Sequence, residues 1–461
     1  MKFDLSIIGG GPGGYYAAIR ASQFGKKVCL IDKDNLGGIC LNWGCIPTKT
    51  LLKNAEVYNY IKNSRKYGIN VEKISLDTIK SIKRSREISK ILSKGIEYLI
   101  KKNNIFHMKG DARLKNKNEI MVNSNGNSNL IESDYIILAT GARPKTFPSF
   151  NMDNRRIISS KEAMLLEKIP KKIIIIGSGA IGCEFSYYFN EFGAEVHLIE
   201  SEDKILPLED LDVSKELEKN FIKSGIQIHK NSKVSIINSS KSEVKVTYLE
   251  DSNQKVLKGD YALVAVGVTG NVENIGLEEL GIKVANGAVK INEYNQTNIE
   301  NIYAIGDVSG PPWLAHVASA QGNLAVEHAF EKGSRPIDYL NIPGCTYCQP
   351  QVASIGLTEK EALRRGHEVK IGKYSFMANG KALAVGHNEG FVKLIFDQKY
   401  GELIGAHIIG QNATELIAEL SIAKSLETTW EQLAFGIHPH PTFSEGIMEA
   451  AMDAYGIGVH Q

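Results

Sequence analysis

The sequence predicts an α/β protein built around two parallel-sheet domains, and three observations carry that prediction. A strand, a glycine triplet and a helix open the chain, the same unit recurs after residue 170, and glycine is in excess, with 43 residues against 13 prolines. Glycine in that proportion suits a chain that repeatedly brings its backbone close to something. At about 150 residues per domain, 461 residues make roughly three domains with sizeable cores.

An apolar fraction of 43% with 23% charged residues is ordinary for a soluble globular chain and excludes disorder and collagen-like structure. Lys plus Arg number 54 and Asp plus Glu 52, so no global field steers the chain toward nucleic acid or a membrane. The chain starts directly in a strand-like run without an apolar signal core. Its longest central aliphatic run, Ile173 to Ile176, falls far short of the ~20 residues of a membrane helix. Six cysteines without a signal segment argue against a structural disulfide framework. These features predict a cytoplasmic location.

The first unit reads D-L-S-I-I-G-G-G-P-G-G-Y, with Gly9, Gly11 and Gly14 as its triplet. The second reads K-I-I-I-I-G-S-G-A-I-G-C-E, with Gly177, Gly179 and Gly182. Each runs through a helix into a second strand that ends in an acid, K-V-C-L-I-D to Asp32 and E-V-H-L-I-E to Glu200, 23 residues after the first glycine in both copies. One GxGxxG is weak, but the whole unit in register twice is strong. The glycines permit a tight turn, close approach to a pyrophosphate and tight helix packing. The helix N-terminus offers free N–H groups to phosphates, and the acid accepts ribose hydroxyls. Two dinucleotides are therefore expected. Glu200, followed by Ser201-Glu202-Asp203 and no arginine, repels a 2′-phosphate and favours NAD over NADP. Two such sites in one chain suggest a flavin relay, FAD in one and the nicotinamide in the other.

Cys40 and Cys45 lie within G-G-I-C-L-N-W-G-C-I-P-T-K, Gly37 to Lys49. This C-x4-C spacing suits neither a metal site nor a thioredoxin-type C-x-x-C. Five residues of straight helix rise about 7.5 Å, beyond the ~4.4–6.8 Å Cα separation of a disulfide. A bridge needs a distorted helix start, for which Gly44 and Pro47 provide. Such a bond would be cycled rather than structural, and a helix N-terminus favours thiolate. From spacing alone, two buried free cysteines remain the alternative.

The cysteine motif resembles, residue for residue, the redox-active disulfide of the pyridine nucleotide-disulphide oxidoreductases. The resemblance covers nearly the whole chain through A-T-G-A-R-P (Ala139 to Pro144), Y-A-I-G-D-V (Tyr303 to Val308), W-L-A-H (Trp313 to His316) and H-P-H-P-T-F-S-E (His438 to Glu445). It implies two Rossmann-like dinucleotide-binding domains, for FAD and NAD, and a C-terminal α+β dimerisation domain. By that resemblance Gly9, Gly11, Gly14 and Asp32 hold the ADP half of FAD, and Lys49 sits by the flavin. Thr140, Gly141, Asp307, Trp313, Leu314, Ala315 and His316 complete the FAD site. Gly177, Gly179, Gly182 and Glu200 hold NAD, Glu184 pairs with Lys49 near the two rings, and Val234 and Gly267 are further nicotinamide-nucleotide positions. Cys40 meets the substrate thiol and Cys45 faces the flavin. His440 is the implied base, oriented by Glu445, with His438 in support; it would serve the partner subunit's disulfide in a homodimer.

Within the family the chain is most similar to members that oxidise the dihydrolipoyl groups of 2-oxoacid dehydrogenase complexes and of the glycine cleavage system, reducing NAD⁺. The implied partners are lipoyl domains and the acyltransferase core of such complexes, with no metal. Two alternatives stand beside this reading. Another NAD(P)H-dependent flavin disulfide reductase would run the flow backwards, against which Glu200 and its acidic neighbours count. A non-catalytic flavoprotein scaffold would be free to lose Cys40, Cys45, His440 and Glu445, yet all are present.

The composition places an FAD domain at 1–150, an NAD domain at 151–270, a central segment packing with the FAD domain at 271–342, and the interface domain at 343–461. After Gly267 the chain reads V-T-G-N-V, where many relatives carry a basic residue followed by Pro, which predicts an altered nicotinamide pocket wall. Cys345 and Cys348 are read as packing residues, and Cys29 and Cys183 as buried and inert. Lys80 to Lys102 contains eight basic residues and two acidic ones, with Ile88, Ile91, Leu92, Ile96 and Leu99 at helical spacing. It is read as a solvated helix face, with docking to an acidic surface as the lesser reading.

Overall fold

The structure is a computed structural model that describes residues 1–124 and 126–460. The chain divides into two compact units. Met1–Leu51, Leu76–Thr146 and Gly267–Ile337 form the first; Leu52–Ser75, Phe147–Val266 and Asp338–Gln461 form the second.

In the first unit, β1 (Lys2–Ile8) and β2 (Val28–Asp32) are buried almost throughout, as parallel strands covered on both faces must be. β1 pairs in parallel with β2, from Leu5 opposite Val28 to Ile8 opposite Ile31, and on its other side with Asn127–Leu138. Phe106–Lys109 extends the sheet beyond β2, and Ile302–Ala304 adds in parallel to Asn127–Leu138. α1 (Pro12–Gln23) follows the first glycine turn, with proline at its first position, where the missing N–H costs nothing. Helix Ala315–Ala329 packs along α1. Leu5, Ile7, Leu30 and Ile137 are fully buried between these helices and the sheet.

After β2 come α2 (Gly38–Trp43) and α3 (Cys45–Lys62), separated by Gly44, and then α4 (Thr78–Lys102), capped by Asp77 accepting from the Lys80 N–H. The apolar spacing in α4 does not mark its buried face. Ser85, Ser89, Ser93, Ile96 and Ile100 are buried, whereas Ile91 and Leu92 are exposed. Serine is small enough to let α2 come close. Its hydroxyls are satisfied, Ser93 Oγ donating to Leu36 O at 2.9 Å and Ser89 Oγ to Ser85 O at 3.1 Å.

The second unit repeats the parallel plan with Gln227–His229, Glu195–Ile199, Lys172–Ile176, Tyr261–Val264 and Ile157–Ile158 in that order. An antiparallel three-stranded sheet spans 232–259. The C-terminal region is a five-stranded antiparallel sheet with helices Ala413–Ser425 and Glu445–Asp453 against it. Leu52–Ser75, which the composition leaves in the first domain, falls in this second unit. Tyr58 packs on Phe192, Asn59 Nδ2 donates to Glu191 at 2.8 Å, and Tyr67 OH donates to Val385 O at 3.0 Å. Among the described residues no helix is long and apolar enough to cross a membrane, and no group of His, Cys, Asp and Glu could hold a metal ion.

Candidate active site

The two glycine triplets occupy equivalent turns, one in each parallel sheet. Gly9 and Gly177 have φ of 113° and 95°, and a Cβ on either would run into a carbonyl oxygen, of Ala139 and Ala265 respectively. Gly14 and Gly182 lie just as close to the carbonyls of Gly9 and Gly177. The middle glycines, Gly11 and Gly179, head the helices, and a Cβ on Gly179 would project into open space. The acids close the motif identically. The Gly10 N–H donates to Asp32 Oδ2, and the Ser178 N–H donates to Glu200 Oε2 at 2.8 Å. Burial opposes ionisation of Glu200, but Ser178, Ser201 and the Glu202 N–H outweigh it and hold its pKa below the ordinary value. Open helix N-termini with an ionised acceptor at the next strand end fit a dinucleotide at each turn.

Further cofactor candidates surround the first turn. The Asp307 carboxyl is pushed up to about 6 by burial and has no hydrogen-bond donor among the described residues, so it suits a ligand hydroxyl. Thr140 Oγ1 donates to Asn271 O at 2.9 Å, and Gly141 beside it faces open space at φ 70°. Leu314 caps the helix that Ala315 and His316 begin, and Trp313 is 44% exposed. In the second unit, Val234 is half-buried at a β-bulge, and Glu184, 3% exposed, accepts from the Tyr347 N–H at 3.0 Å. Gly267 faces open space. The residues after it pair with Ala142–Pro144, and a Cβ on Gly270 would lie 2.5 Å from Gly287 O. A proline there would require the Gly287 turn to move, which accounts for glycine at that position.

The helix break at Gly44 brings the redox cysteines together. α2 begins where Gly37 and Gly38 take left-handed φ, with the Gly37 N–H on Gly10 O at 2.8 Å, so the cysteine helix starts against the glycine turn. Both cysteines are free thiols, and their hydrogen bond, then burial, raises the Cys40 pKa, an effect opposed by the charge of Lys49. Cys29, Cys183 and Cys348 are buried and Cys345 half-buried; burial pushes Cys29 up to about 12.

A groove of about 560 Å³ runs between α1, α4 and Ala315–Ala329. Tyr15, Tyr16, Ile19, Ile96 and Leu99 make its apolar lining, and the Arg20–Glu327 ion pair is part of its polar lining. Tyr15 shares a packed cluster with Cys40 and Leu41, and Cys40 is one of the charges that raise its pKa, after burial. The sequence reading missed this groove; the doubled tyrosine after the first triplet is its only local sign.

In the second unit His440 is 78% exposed, and its Nδ1 is held by Glu445 Oε1 at 2.8 Å. Glu445 also accepts the Thr442 N–H at 2.8 Å. Because a carboxylate only accepts, Nδ1 carries the proton and the exposed Nε2 is left basic. His438 is engaged at both nitrogens, by Glu419 at 2.8 Å and Gly436 O at 3.1 Å, as a supporting residue would be.

Comparisons with known proteins agree with this arrangement. Residues 3–322 match the pyridine nucleotide-disulphide oxidoreductase family, and residues 342–451 match the family's dimerisation domain. Dihydrolipoyl dehydrogenase of Zymomonas mobilis is 45% identical over 99% of both chains, and that of Bacillus subtilis is 40% identical over 100% of this chain and 99% of its own. Among solved structures, LpdA of Mycobacterium tuberculosis superposes with a TM-score of 0.91 at 27% identity, covering 98% of this chain and 99% of its own. The flavoprotein disulfide reductase RclA of Escherichia coli gives 0.87 at 26%, covering 97% and 99%. With duplicated glycine turns, a cysteine pair on a broken helix and full-length relatives that match throughout, the chain belongs to the pyridine nucleotide-disulphide oxidoreductase family.

Proposed function

We propose that the chain is a dihydrolipoyl dehydrogenase. As a homodimer binding FAD and NAD, it oxidises protein-bound dihydrolipoyl groups to lipoyl and reduces NAD⁺, serving 2-oxoacid dehydrogenase complexes or the glycine cleavage system. The observation that carries this reading is the Cys40–Cys45 pair, with Cys40 in the same packed cluster as Tyr15 of the groove, whose apolar wall suits a flexible, uncharged dithiol arm.

In the oxidised enzyme a substrate thiol gives its proton to Nε2 of His440 and attacks Cys40 Sγ. The Cys40–Cys45 bond breaks and Cys45 leaves as thiolate. The second substrate thiol attacks its own mixed disulfide, expels Cys40, and leaves a cyclic disulfide product with both enzyme sulfurs reduced. A base is required because a thiol of pKa about 8.5 is mostly protonated at neutral pH, and thiolate is the attacking species. When bound, the flavin supplies a two-electron acceptor for the reduced pair and the link to NAD⁺. Gly9, Gly11, Gly14 and Asp32 would hold its ADP half, with Asp307 on a hydroxyl and Lys49 near Cys40 and the flavin. Gly177, Gly179, Gly182 and Glu200 would hold NAD, the ionised Glu200 rejecting a 2′-phosphate. The exposed His440 would serve the disulfide of the other copy.

The test is turnover of purified protein with dihydrolipoamide, offering NAD⁺ and NADP⁺ separately. Rapid reduction of NAD⁺ alone is expected. A flavin-loaded dimer inactive on the dithiol would reject the assignment.

A further inference from the structure

We propose that the exposed face of α4 is a docking surface for an acidic protein domain that delivers the dithiol arm to the groove beside Cys40. This rests on the proposed function and names the partner of the same site.

α4 has two faces of opposite character. Ser85, Ser89, Ser93, Ile96 and Ile100 are buried, and at 100° per residue the opposite side carries Lys80, Lys83, Lys94 and Lys101, with Ile91 and Tyr98 near its centre. Ile91 and Tyr98 are 67% and 65% exposed. Among the described residues Lys83, Lys90, Lys94 and Lys101 form no ion pair, and only Glu87 and Glu97 interrupt the cations. The chain as a whole carries a net charge of only +2, so this strip is a local concentration. A cationic surface around two exposed apolar side chains has the anatomy of a protein interface, apolar at the centre and charged at the rim.

The position of the strip connects it to the chemistry. Beneath it α4 grips the cysteine helix: Arg86 donates to Asn42 O and lies 4.4 Å over the Trp43 ring, and Ser93 donates to Leu36 O. Ile96 and Leu99 of the same helix line the groove. A domain seated on α4 therefore sits beside the groove whose Tyr15 packs in one cluster with Cys40. Charge complementarity selects an acidic occupant. A second copy would meet this strip with its own lysines if the two strips faced each other across a two-fold axis. A free dithiol amide, being neutral, gains nothing from the charges.

The experiment uses the flavin-loaded enzyme and the K83E/K90E/K94E variant, whose three side chains are all exposed. Two substrates are compared between about 50 and 300 mM salt: free dihydrolipoamide, and a chemically reduced lipoylated domain of net negative charge. The expected result is a kcat/KM for the domain that falls with salt in the wild type and is at least about tenfold lower in the variant at low salt, with free dihydrolipoamide unchanged. Salt-independent turnover of the domain, or an unimpaired variant, would overturn the docking surface while leaving the activity standing. A variant that dissociates into monomers would assign the face to a second copy and overturn it too. Wild-type enzyme inactive on free dihydrolipoamide would remove the proposed function, and the inference with it.

Discussion

At the scale of single residues, His440 and Glu445 divide one task. Glu445 holds Nδ1–H at 2.8 Å and is itself fixed by the Thr442 N–H, so the ring is oriented without being covered. Replacing the ring by an amide, as in His440→Gln, removes the base and nothing that supports the fold. Dihydrolipoamide oxidation is expected to slow at least about 10²-fold, the lower end for general base catalysis, with flavin absorbance retained. Stopped-flow reduction of the bound flavin by the dithiol checks this, and a near-normal rate would remove His440 from the mechanism. Glu445→Gln keeps an oxygen able to accept from Nδ1 but loses the charge that stabilises the imidazolium, so its rate should fall between wild type and His440→Gln.

Among elements, the α2–α3 break decides whether the sulfurs meet. A Cβ on Gly44 would lie 3.2 Å from both Ile39 O and Ile39 Cγ2, so Gly44→Ala pushes the first turn of α2 away from the start of α3. Turnover should fall about tenfold, equivalent to ~1.4 kcal/mol, and alkylation after mild oxidation should find more free Cys40 and Cys45. Wild-type thiol accounting in the variant would show that the break does not depend on glycine. The break was legible in the sequence because a five-residue helical rise cannot be spanned by a disulfide, and the duplicated turns were legible because each closes on itself within 22 residues, from Gly10 to Asp32 and from Ser178 to Glu200. α4 was not. Its periodic isoleucines and leucines straddle two faces, Ile96 buried but Ile91 and Leu92 exposed, since a serine stripe can be buried when its hydroxyls find carbonyls, and those carbonyls belong partly to another segment. The groove takes residues from three distant segments, and the placement of Leu52–Ser75 depends on Phe192 and Val385. No local pattern encodes either.

For the molecule as a whole, two half-buried groups in the second unit make opposite contributions to the pH dependence of stability. His197 and His229 stack at 5.3 Å, with Nδ1 and Nε2 3.0 Å apart, and His197 Nε2 faces Glu195 Oε1 at 3.0 Å. A neutral His229 completes this chain: its Nε2–H donates to His197 Nδ1, and His197 Nε2–H to Glu195. Burial, then the charge of His197, lowers His229 from 6.5 to about 4. The unfolded chain therefore takes up a proton below about 6.5 that the fold refuses until about 4, and stability falls across that window by up to about 3 kcal/mol. Glu209 works the other way. Burial raises its carboxyl from 4.5 to about 7, so the fold keeps a proton that the unfolded chain loses, and stability falls as pH rises from 4.5 to 7. Between about 4.5 and 6.5 the two slopes oppose each other and largely cancel, so urea midpoints of the wild type should be nearly flat there. His229→Gln, which can still donate to His197, should uncover the Glu209 slope, a fall in stability as pH rises from 4.5 to 7. Glu209→Gln, neutral at every pH and still able to accept from Ser354, should uncover the His229 slope, a fall in stability as pH drops from 6.5 to about 4. If both variants keep the wild-type profile, these two groups do not make these contributions. If each uncovers the other's slope, the flat stability of the fold in this range comes from two opposed side chains outside the residues assigned to the redox chemistry.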